Sequence, residues 1–242
     1  MSTATERIMR ERGDLRCFHE PFMYLYYVGD GVKEMPLFEA DPDHPTSYEG
    51  IRGMLLAAGE AGPVFFKDMS YYIADRMMAD EAFTRRLTNT FLIRDPAKTI
   101  VSYYRKDTNI RLEEIGLEDQ WRHFEWLAEL LGAPPPVIDA ADIQADPAGM
   151  IRAWCAAAGI EFLPHSLEWN SPPPAEWEQV SGWHGEVMAS DGIARDMPDG
   201  SDREPSVTLD SAPQLRRYYE HHLPFYEKLR KHRLAPVKPE IR

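Results

Sequence analysis

Segments with two different spacings of hydrophobic residues alternate along the whole chain. Short apolar runs bounded by turn residues predict strands, and apolar residues repeated every three or four positions predict helices. The clearest helix carries one apolar stripe: Trp121, Phe124, Leu127, Ala128 and Leu131. Strands are predicted over 15–18 and 63–68, in a run ending at Arg94, and over 136–139. Helices are predicted over 3–12, 48–59, 73–87, 97–106, 117–131, 148–158 and 212–233, the last disturbed at Pro224.

Strands that alternate with helices are typical of an α/β fold, in which helices cover both faces of a parallel sheet. The chain has 242 residues without repeats or a clear linker, so a single domain over 1–242 is predicted. Residues 30–45 combine prolines, glycines and acids, which predicts a surface loop. Residues 171–211 are polar and rich in Gly, Asp and Pro, which predicts a long loop or flap.

The charge balance restricts the partners. There are 27 basic and 40 acidic residues, and the formal net charge is −13. Nucleic acids and anionic membranes need broad positive surfaces, so the composition argues against both. Charged residues crowd the first thirty positions and no later apolar run reaches the length of a membrane span, so a cytoplasmic location is expected. Cys17 and Cys155 are predicted to be reduced core thiols, and no metal-ligand spacing is present in the sequence.

The most informative stretch is an apolar run that ends at Arg94, turns through Asp95 and Pro96, and enters a helix carrying Ser102. Open α/β sheets bind ligands at the carboxyl ends of their strands, where Arg94 is predicted to lie. Arginine recognises phosphate through planar, charged hydrogen bonding, and a serine hydroxyl adds a neutral donor. A plain strand–turn–helix, with Arg94 paired to Asp95 and Ser102 facing solvent, is the alternative interpretation.

This stretch resembles the 3′-phosphate-binding motif of the PAPS-dependent sulfotransferases, in which an Arg-(Asp/Asn)-Pro turn precedes a helical serine and aromatic residues, here Tyr103 and Tyr104. The resemblance implies a P-loop NTPase-like α/β fold, a three-layer sandwich with a central parallel sheet. It implies that Arg94 and Ser102 hold the 3′-phosphate of PAPS (3′-phosphoadenylyl sulfate) or of its product PAP. It also implies metal-free transfer of a sulfuryl group from PAPS to a hydroxyl or amine of a small-molecule acceptor.

The amino terminus is interpreted through the same resemblance. In bacterial sulfotransferases a loop reading approximately Pro-Arg-Ser-x-Ser-Thr cradles the 5′-phosphosulfate, and Ser2 and Thr3 match its last two positions. The helix that follows offers an anion site at its amino terminus, so both residues are predicted to bind the cofactor. Thr3 and Glu6 also fit an ordinary capping box. The first strand and the basic residue of the loop are missing, and we expect either a sequence that begins too late or a reduced fold truncated at the N-terminus.

The segment His19-Glu20-Pro21-Phe22 follows a predicted strand and resembles the Glu-Pro-Phe element of bacterial small-molecule sulfotransferases. The resemblance implies that Glu20 is the catalytic base, and His19 is a second candidate. Sulfuryl transfer needs an acceptor hydroxyl that loses its proton as it attacks sulfur, which a partly desolvated carboxylate can bring about. Alternatively, Glu20 binds backbone amides of the Pro21 turn and only shapes the pocket.

Lys67, Asp68 and Met69 end the next predicted strand, and the resemblance covers them too. Many relatives carry a histidine shortly afterwards, where this chain has Tyr71 and Tyr72, so a histidine base is disfavoured relative to Glu20. Lys67 is a catalytic candidate because its charge can neutralise the leaving oxygen as the sulfur–oxygen bond breaks. Pairing of Lys67 and Asp68 with each other, or with Arg94 and Asp95, is the alternative.

Trp183 lies where related sulfotransferases carry a flap, which implies that it stacks on the adenine of PAPS. Alternatively, Trp183 simply anchors a loop to the core. Tyr24, Tyr26, Tyr27, Tyr71 and Tyr72 are candidates to line an acceptor pocket or simply to fill the core.

The alternative function is a non-catalytic PAP(S)-binding or protein-interaction module that has lost the phosphate loop. A phosphoryl-transfer enzyme would need a Gly-Lys-Ser/Thr loop, which the sequence lacks. Relatives of this branch are also fused to, or named after, aminotransferases, but nothing in the sequence resembles a pyridoxal-phosphate site. The sequence determines neither the acceptor nor the oligomeric state.

Overall fold

The computed structural model describes residues 1–180, 182–183, 190, 192–193 and 207–238. Its internal contacts divide the chain into two compact units. The first comprises Met1–Phe83 and Leu163–Gly192, and the second comprises Thr84–Phe162 and Ile193–Arg242. The single domain over 1–242 stays a prediction.

The first unit contains a parallel pair of strands with helices packed against it. Strand β1 (Arg16–His19) pairs with β2 (Val64–Lys67) so that Arg16 lies opposite Val64 and His19 opposite Lys67. Helix α1 (Ser2–Glu11) packs against both strands, and α2 (Tyr48–Ala61) packs against β2. The elements are α1 Ser2–Glu11, β1 Arg16–His19, a π-helical turn Leu25–Gly29, α2 Tyr48–Ala61, β2 Val64–Lys67, α3 Ser70–Ala79, α4 Glu81–Thr84, and 3₁₀ helices Pro164–Leu167 and Ala175–Val180.

The second unit is built in the same way. Strand β3 (Phe91–Ile93) pairs in parallel with β4 (Val137–Asp139), with Phe91 opposite Val137 and Ile93 opposite Asp139. Helix α6 (Leu117–Leu131) packs against β3. The long helix α9 (Pro213–Arg230) packs against both strands, against α5 (Pro96–Tyr104) and against α6. The elements are β3 Phe91–Ile93, α5 Pro96–Tyr104, a 3₁₀ turn Glu113–Ile115, α6 Leu117–Leu131, β4 Val137–Asp139, α7 Ala140–Ala145, α8 Pro147–Ala158 and α9 Pro213–Arg230. The predicted α/β class with parallel strands is confirmed.

The prediction of one helix over 73–87 is wrong, because Asp80 divides it. The backbone of Asp80 leaves the helical region (φ −115°, ψ 71°) and ends α3. Its Oδ1 then accepts the Phe83 N–H at 3.0 Å and begins α4. Its Oδ2 is held by Arg52 and Tyr48 of α2, at 2.7 and 3.2 Å. Contacts with another helix therefore decide a boundary that the local pattern does not mark.

The predicted loop over 171–211 is wrong for six of its residues, Ala175–Val180, which form a 3₁₀ helix. Trp177 in this helix is completely buried. Residues 181, 184–189, 191 and 194–206 of the predicted loop lie outside the described residues. Within the described part of the chain, no helix has both the length and the apolar character needed to cross a membrane.

The apolar stripe predicted for α6 is confirmed at Phe124 and Leu127 but is wrong at Leu131, which is exposed. Phe124 and Leu127 are buried in the core of the second unit, together with Phe91, Ile93 and Val137 of the strands. Both cysteines are also buried and unbridged, as predicted.

Replacement of Leu127 by alanine tests this core. Leu127 is fully buried, so Leu127→Ala should lower the free energy of unfolding by about 3 kcal/mol through lost burial and a residual cavity. The matched control is Leu131→Ala in the last turn of the same helix, where the side chain is 44% exposed and the expected change is below about 0.5 kcal/mol. Urea unfolding measures both, and equal losses would contradict the assignment of this face to the core.

Candidate functional site

The parallel register of β1 and β2 brings the predicted catalytic residues of the first unit together. His19 ends β1 directly opposite Lys67, which ends β2, and Glu20 follows His19. The Lys67 ammonium donates to Glu20 Oε1 at 2.5 Å, and the Tyr72 hydroxyl donates to Oε2 at 3.3 Å. The Lys67 Nζ also lies 3.6 Å from an oxygen of Glu6. Lys67 thus pairs with Glu20 and Glu6 rather than with its neighbour Asp68.

The backbone of Glu20 adopts an unusual conformation. Its φ is +41°, in the left-handed region that residues with a Cβ seldom occupy. A tight turn follows, in which the Glu20 carbonyl accepts the Met23 N–H at 2.9 Å across Pro21. Such a conformation persists only where the surroundings hold it, and it is concentrated at functional sites.

Glu6 is the central residue of this cluster, and sequence analysis misassigned it. The alternative of a Thr3–Glu6 capping box is not supported, because α1 begins at Ser2 and its N-cap residue is Met1, which forms no side-chain cap hydrogen bond. Glu6 is instead completely buried. One oxygen contacts His19 Nδ1 at 2.6 Å; the other accepts from Arg10 at 2.8 Å and from the Trp177 indole at 3.0 Å.

These contacts determine the ionisation of Glu6. Burial alone would raise the pKa of its carboxyl, but the hydrogen bond from His19 and the positive charges of Lys67 and Arg10 together hold that pKa well below its usual range. Glu6 is therefore ionised at neutral pH. The spacing of Glu6 and Arg10, four residues apart on one helix, was the signal available in the sequence.

His19 is enclosed by the same contacts. Its ring is buried, meets the Trp177 ring edge-on at a centroid distance of 6.2 Å, and uses Nδ1 for Glu6. Its backbone N–H donates to Glu176 at 3.3 Å. The structure thus places His19 beside the Glu20–Lys67 pair, within a buried hydrogen-bonded network.

The pKa values of the two residues that end and follow β2 are both raised, for different reasons. Burial disfavours the charged form of Lys67, but the carboxylates of Glu20 and Glu6 outweigh it and raise the Lys67 pKa. Burial, and next the negative charge of Glu20, raise the pKa of Asp68 well above its usual value. Asp68 Oδ1 accepts the Phe22 N–H at 3.1 Å.

Four tyrosine rings pack against one another next to Glu20. The centroids of Tyr71 and Tyr72 are 4.5 Å apart, and those of Tyr26 and Tyr27 lie 5.2 and 5.6 Å from Tyr72. Four of the five tyrosines predicted to line an acceptor pocket therefore form one cluster beside Glu20. Their contact with an acceptor stays a prediction.

The remaining cofactor candidates of the first unit lie at two places. Ser2 and Thr3 form the first turn of α1, with Thr3 buried and the Ser2 carbonyl accepting from the Thr5 hydroxyl at 2.7 Å. The Trp183 indole donates to the Pro36 carbonyl at 2.8 Å and so anchors the 30–45 loop. Binding of PAPS by these three residues stays a prediction.

The second unit contains the other predicted phosphate ligands. Arg94 directly follows β3 and is half-buried. Asp95 caps α5 by accepting the Ala97 N–H at 2.8 Å, and Pro96 is the first residue of that helix. Ser102, also half-buried, lies in the second turn of α5. The predicted strand–turn–helix is confirmed, and its phosphate-binding role stays a prediction.

Comparison with known proteins identifies the family. The model of a family described as a sulfotransferase domain matches residues 1–232. The chain belongs to the sulfotransferase domain family. The sulfotransferase assignment made from the 94–104 motif is therefore confirmed.

The chain also resembles individual proteins over shorter stretches. It is 31% and 28% identical over 104 residues to the branched-chain-amino-acid aminotransferase-like proteins 1 and 2 of Arabidopsis thaliana. Each match covers 43% of this chain and 18% of the relative's length, so the chain spans less than a fifth of these relatives. A solved structure, the sulfotransferase domain from the curacin biosynthetic pathway, is similar with a TM-score of 0.46 and 12% identity, over 71% of this chain and 67% of that one.

Glu6→Gln tests the buried network around Glu6. The substitution leaves Arg10 and Lys67 without the Glu6 charge, and we expect the free energy of unfolding at pH 7 to fall by about 3 kcal/mol. Because the pKa of folded Glu6 lies below its ordinary value of 4.5, ionised Glu6 stabilises the fold above that pH. The difference between wild type and variant should therefore shrink as the pH falls below 4.5.

Urea unfolding at several pH values measures this effect, with Glu60→Gln on the exposed face of α2 as the control. A difference that stays constant down to pH 3 would show that the Glu6 charge does not stabilise the fold.

Proposed function

We propose that this sulfotransferase transfers a sulfuryl group from PAPS to a hydroxyl or amine of a small-molecule acceptor. The observation that carries the proposal is the Glu20–Lys67 pair, held at 2.5 Å where the parallel strands β1 and β2 end. A carboxylate and an ammonium at this edge supply a proton acceptor and a stabiliser of developing negative charge, the two groups that the transfer requires.

In the proposed step the acceptor oxygen or nitrogen attacks the sulfur of PAPS in line. The new bond to sulfur forms while the bond between sulfur and the bridging phosphate oxygen breaks. Glu20 takes the proton that the acceptor loses, and PAP departs with the bonding electrons. Lys67 stabilises the charge on the departing oxygen, and its raised pKa keeps it protonated for that role.

Arg94 and Ser102 are assigned to the 3′-phosphate of PAPS. The support is the position of the two residues: Arg94 directly follows β3, and Ser102 lies in the second turn of α5. Between them, Asp95 accepts the Ala97 N–H as the cap of that helix. A guanidinium that forms charge-assisted hydrogen bonds to phosphate distinguishes PAPS from nucleotides without a 3′-phosphate.

Glu20→Gln tests the catalytic assignment. Glutamine keeps the size of the side chain but does not accept the proton, so kcat should fall about 100-fold or more while PAP affinity stays unchanged. The assay combines radiolabelled PAPS with a panel of phenols, aliphatic alcohols and amines. Glu60→Gln is the exposed control. Full activity in Glu20→Gln would overturn the role of Glu20; tight PAP binding without transfer to any acceptor would favour a non-catalytic binding module.

Arg94→Ala tests the nucleotide assignment separately. Calorimetry with PAP and with adenosine 5′-phosphate, which lacks the 3′-phosphate, should show a wild-type preference for PAP. In Arg94→Ala, PAP affinity should fall about 10-fold or more and the preference should disappear, because a charge-assisted hydrogen bond is lost. Arg86→Ala, at an exposed position of the same unit, should bind like wild type. An unchanged preference in Arg94→Ala would place the 3′-phosphate elsewhere.

A further inference from the structure

Asp68 joins the ends of the two strands that carry the Glu20–Lys67 pair. It immediately follows β2, and its Oδ1 accepts the Phe22 N–H at 3.1 Å in the turn after β1. That turn begins at Glu20, whose carbonyl accepts the Met23 N–H at 2.9 Å. One side chain on β2 therefore binds the short turn that gives Glu20 its direction.

The conformation of Glu20 needs such a support. Its φ of +41° is unfavourable for a residue with a side chain, so the free turn would relax towards an ordinary conformation. Relaxation at Glu20 would rotate its carboxylate away from Lys67, because the side chain leaves the backbone at the strained residue itself. The Asp68–Phe22 hydrogen bond opposes that rotation two residues further along.

We propose that Asp68 is a positioning residue, which holds the turn after β1 so that Glu20 stays directed at Lys67. The proposal rests on the proposed function for its catalytic consequence, but the positioning itself is independent of turnover. Among the described residues, Asp68 forms no hydrogen bond with the Glu20 carboxylate or with Lys67. It acts through the backbone N–H of Phe22.

Two features show that the acceptor atom of Asp68, rather than its charge, is what the site uses. Its second oxygen, Oδ2, is buried and has no hydrogen-bond partner among the described residues. Burial and the charge of Glu20 also favour the neutral form of the carboxyl, since they raise its pKa. An asparagine, neutral and with the same acceptor oxygen, should therefore replace it, whereas a residue without that oxygen should not.

The first test measures the position of the Glu20 carboxylate without an activity assay. The pKa of Lys67, measured by NMR titration of isotope-labelled lysine, is raised by Glu20 first, then by Glu6 and least by Asp68. Asp68→Ala and Asp68→Asn both remove the Asp68 charge, so the difference between them reports how close the Glu20 carboxylate lies. In Asp68→Ala the Lys67 pKa should fall below its value in Asp68→Asn, and the Phe22 amide should lose its protection from hydrogen exchange. In Asp68→Asn that amide should stay protected as in wild type. Because neither measurement needs PAPS, the test stands even if the protein transfers no sulfuryl group.

The second test measures how replacement of Asp68 changes the rate of turnover. We expect kcat of Asp68→Ala to fall about 30-fold, with KM for PAPS within about 2-fold, since a misplaced catalytic group costs rate rather than binding. Asp68→Asn should keep kcat within about 3-fold of wild type, as expected for a preserved hydrogen bond. Asp75→Ala, on the exposed side of α3, is the control. Asp68→Ser, with a shorter side chain, replaces Asp68→Ala if the latter does not fold.

The outcomes separate the possibilities. Equal losses in Asp68→Ala and Asp68→Asn with a protected Phe22 amide would mean that Asp68 acts by its charge, which overturns the proposal. A Lys67 pKa that is the same in Asp68→Ala and Asp68→Asn would overturn it as well. A lower Lys67 pKa in Asp68→Ala than in Asp68→Asn, in a protein without transferase activity, would support the positioning and reject the proposed function instead.

Discussion

An ionised carboxylate removed from water has to be surrounded by donors, and Glu6 meets this requirement through contacts from four directions. Arg10 comes from its own helix, His19 from β1, Lys67 from β2, and Trp177 from the 3₁₀ helix 175–180. Loss of any of these partners would leave a buried charge less compensated, which is far more costly than loss of a surface contact. The network therefore holds α1, both strands and residues 175–180 of the first unit in one arrangement.

The same network sets the electrostatics of the candidate site. Lys67 lies between two carboxylates, Glu6 at 3.6 Å and Glu20 at 2.5 Å, so its ammonium is stabilised although it is largely removed from solvent. The carboxyl of Asp68 lies next to this group and is driven towards its neutral form. The site thus contains two carboxyl groups whose pKa values are shifted in opposite directions, lowered at Glu6 and raised at Asp68.

Membership of the sulfotransferase domain family gives this arrangement its chemical context. The matched family region covers nearly the whole chain, whereas the curated relatives share only a segment of their much longer sequences. The proposals assign proton transfer to the Glu20–Lys67 pair in one unit and nucleotide recognition to Arg94 and Ser102 in the other. Each has its own variant and readout, so the two proposals can succeed or fail independently.

Local patterns in the sequence predicted the elements well where the signal lay within a few residues. The bounds of α6 agree at both ends with the predicted 117–131, and the turn from β3 through Asp95 and Pro96 into α5 follows from the cap and the proline. The α/β class followed from the alternation of the two periods. The positions of Glu20 and Lys67 at strand ends were predicted for the same reason, because strand ends are marked by local composition.

Local patterns could not predict contacts between segments that lie far apart in the sequence. Glu6 looked like a capping residue, yet its partners lie 13 positions away at His19 and 171 positions away at Trp177. The break at Asp80 depends on α2, and the role inferred for Asp68 depends on a turn 46 positions earlier. The sequence by itself determined the elements, the family and the candidate residues, since periodicity, turn chemistry and motif spacing are local properties. Only the tertiary structure decided which charges are buried together, because the parallel pairing of β1 with β2 brings them to one edge.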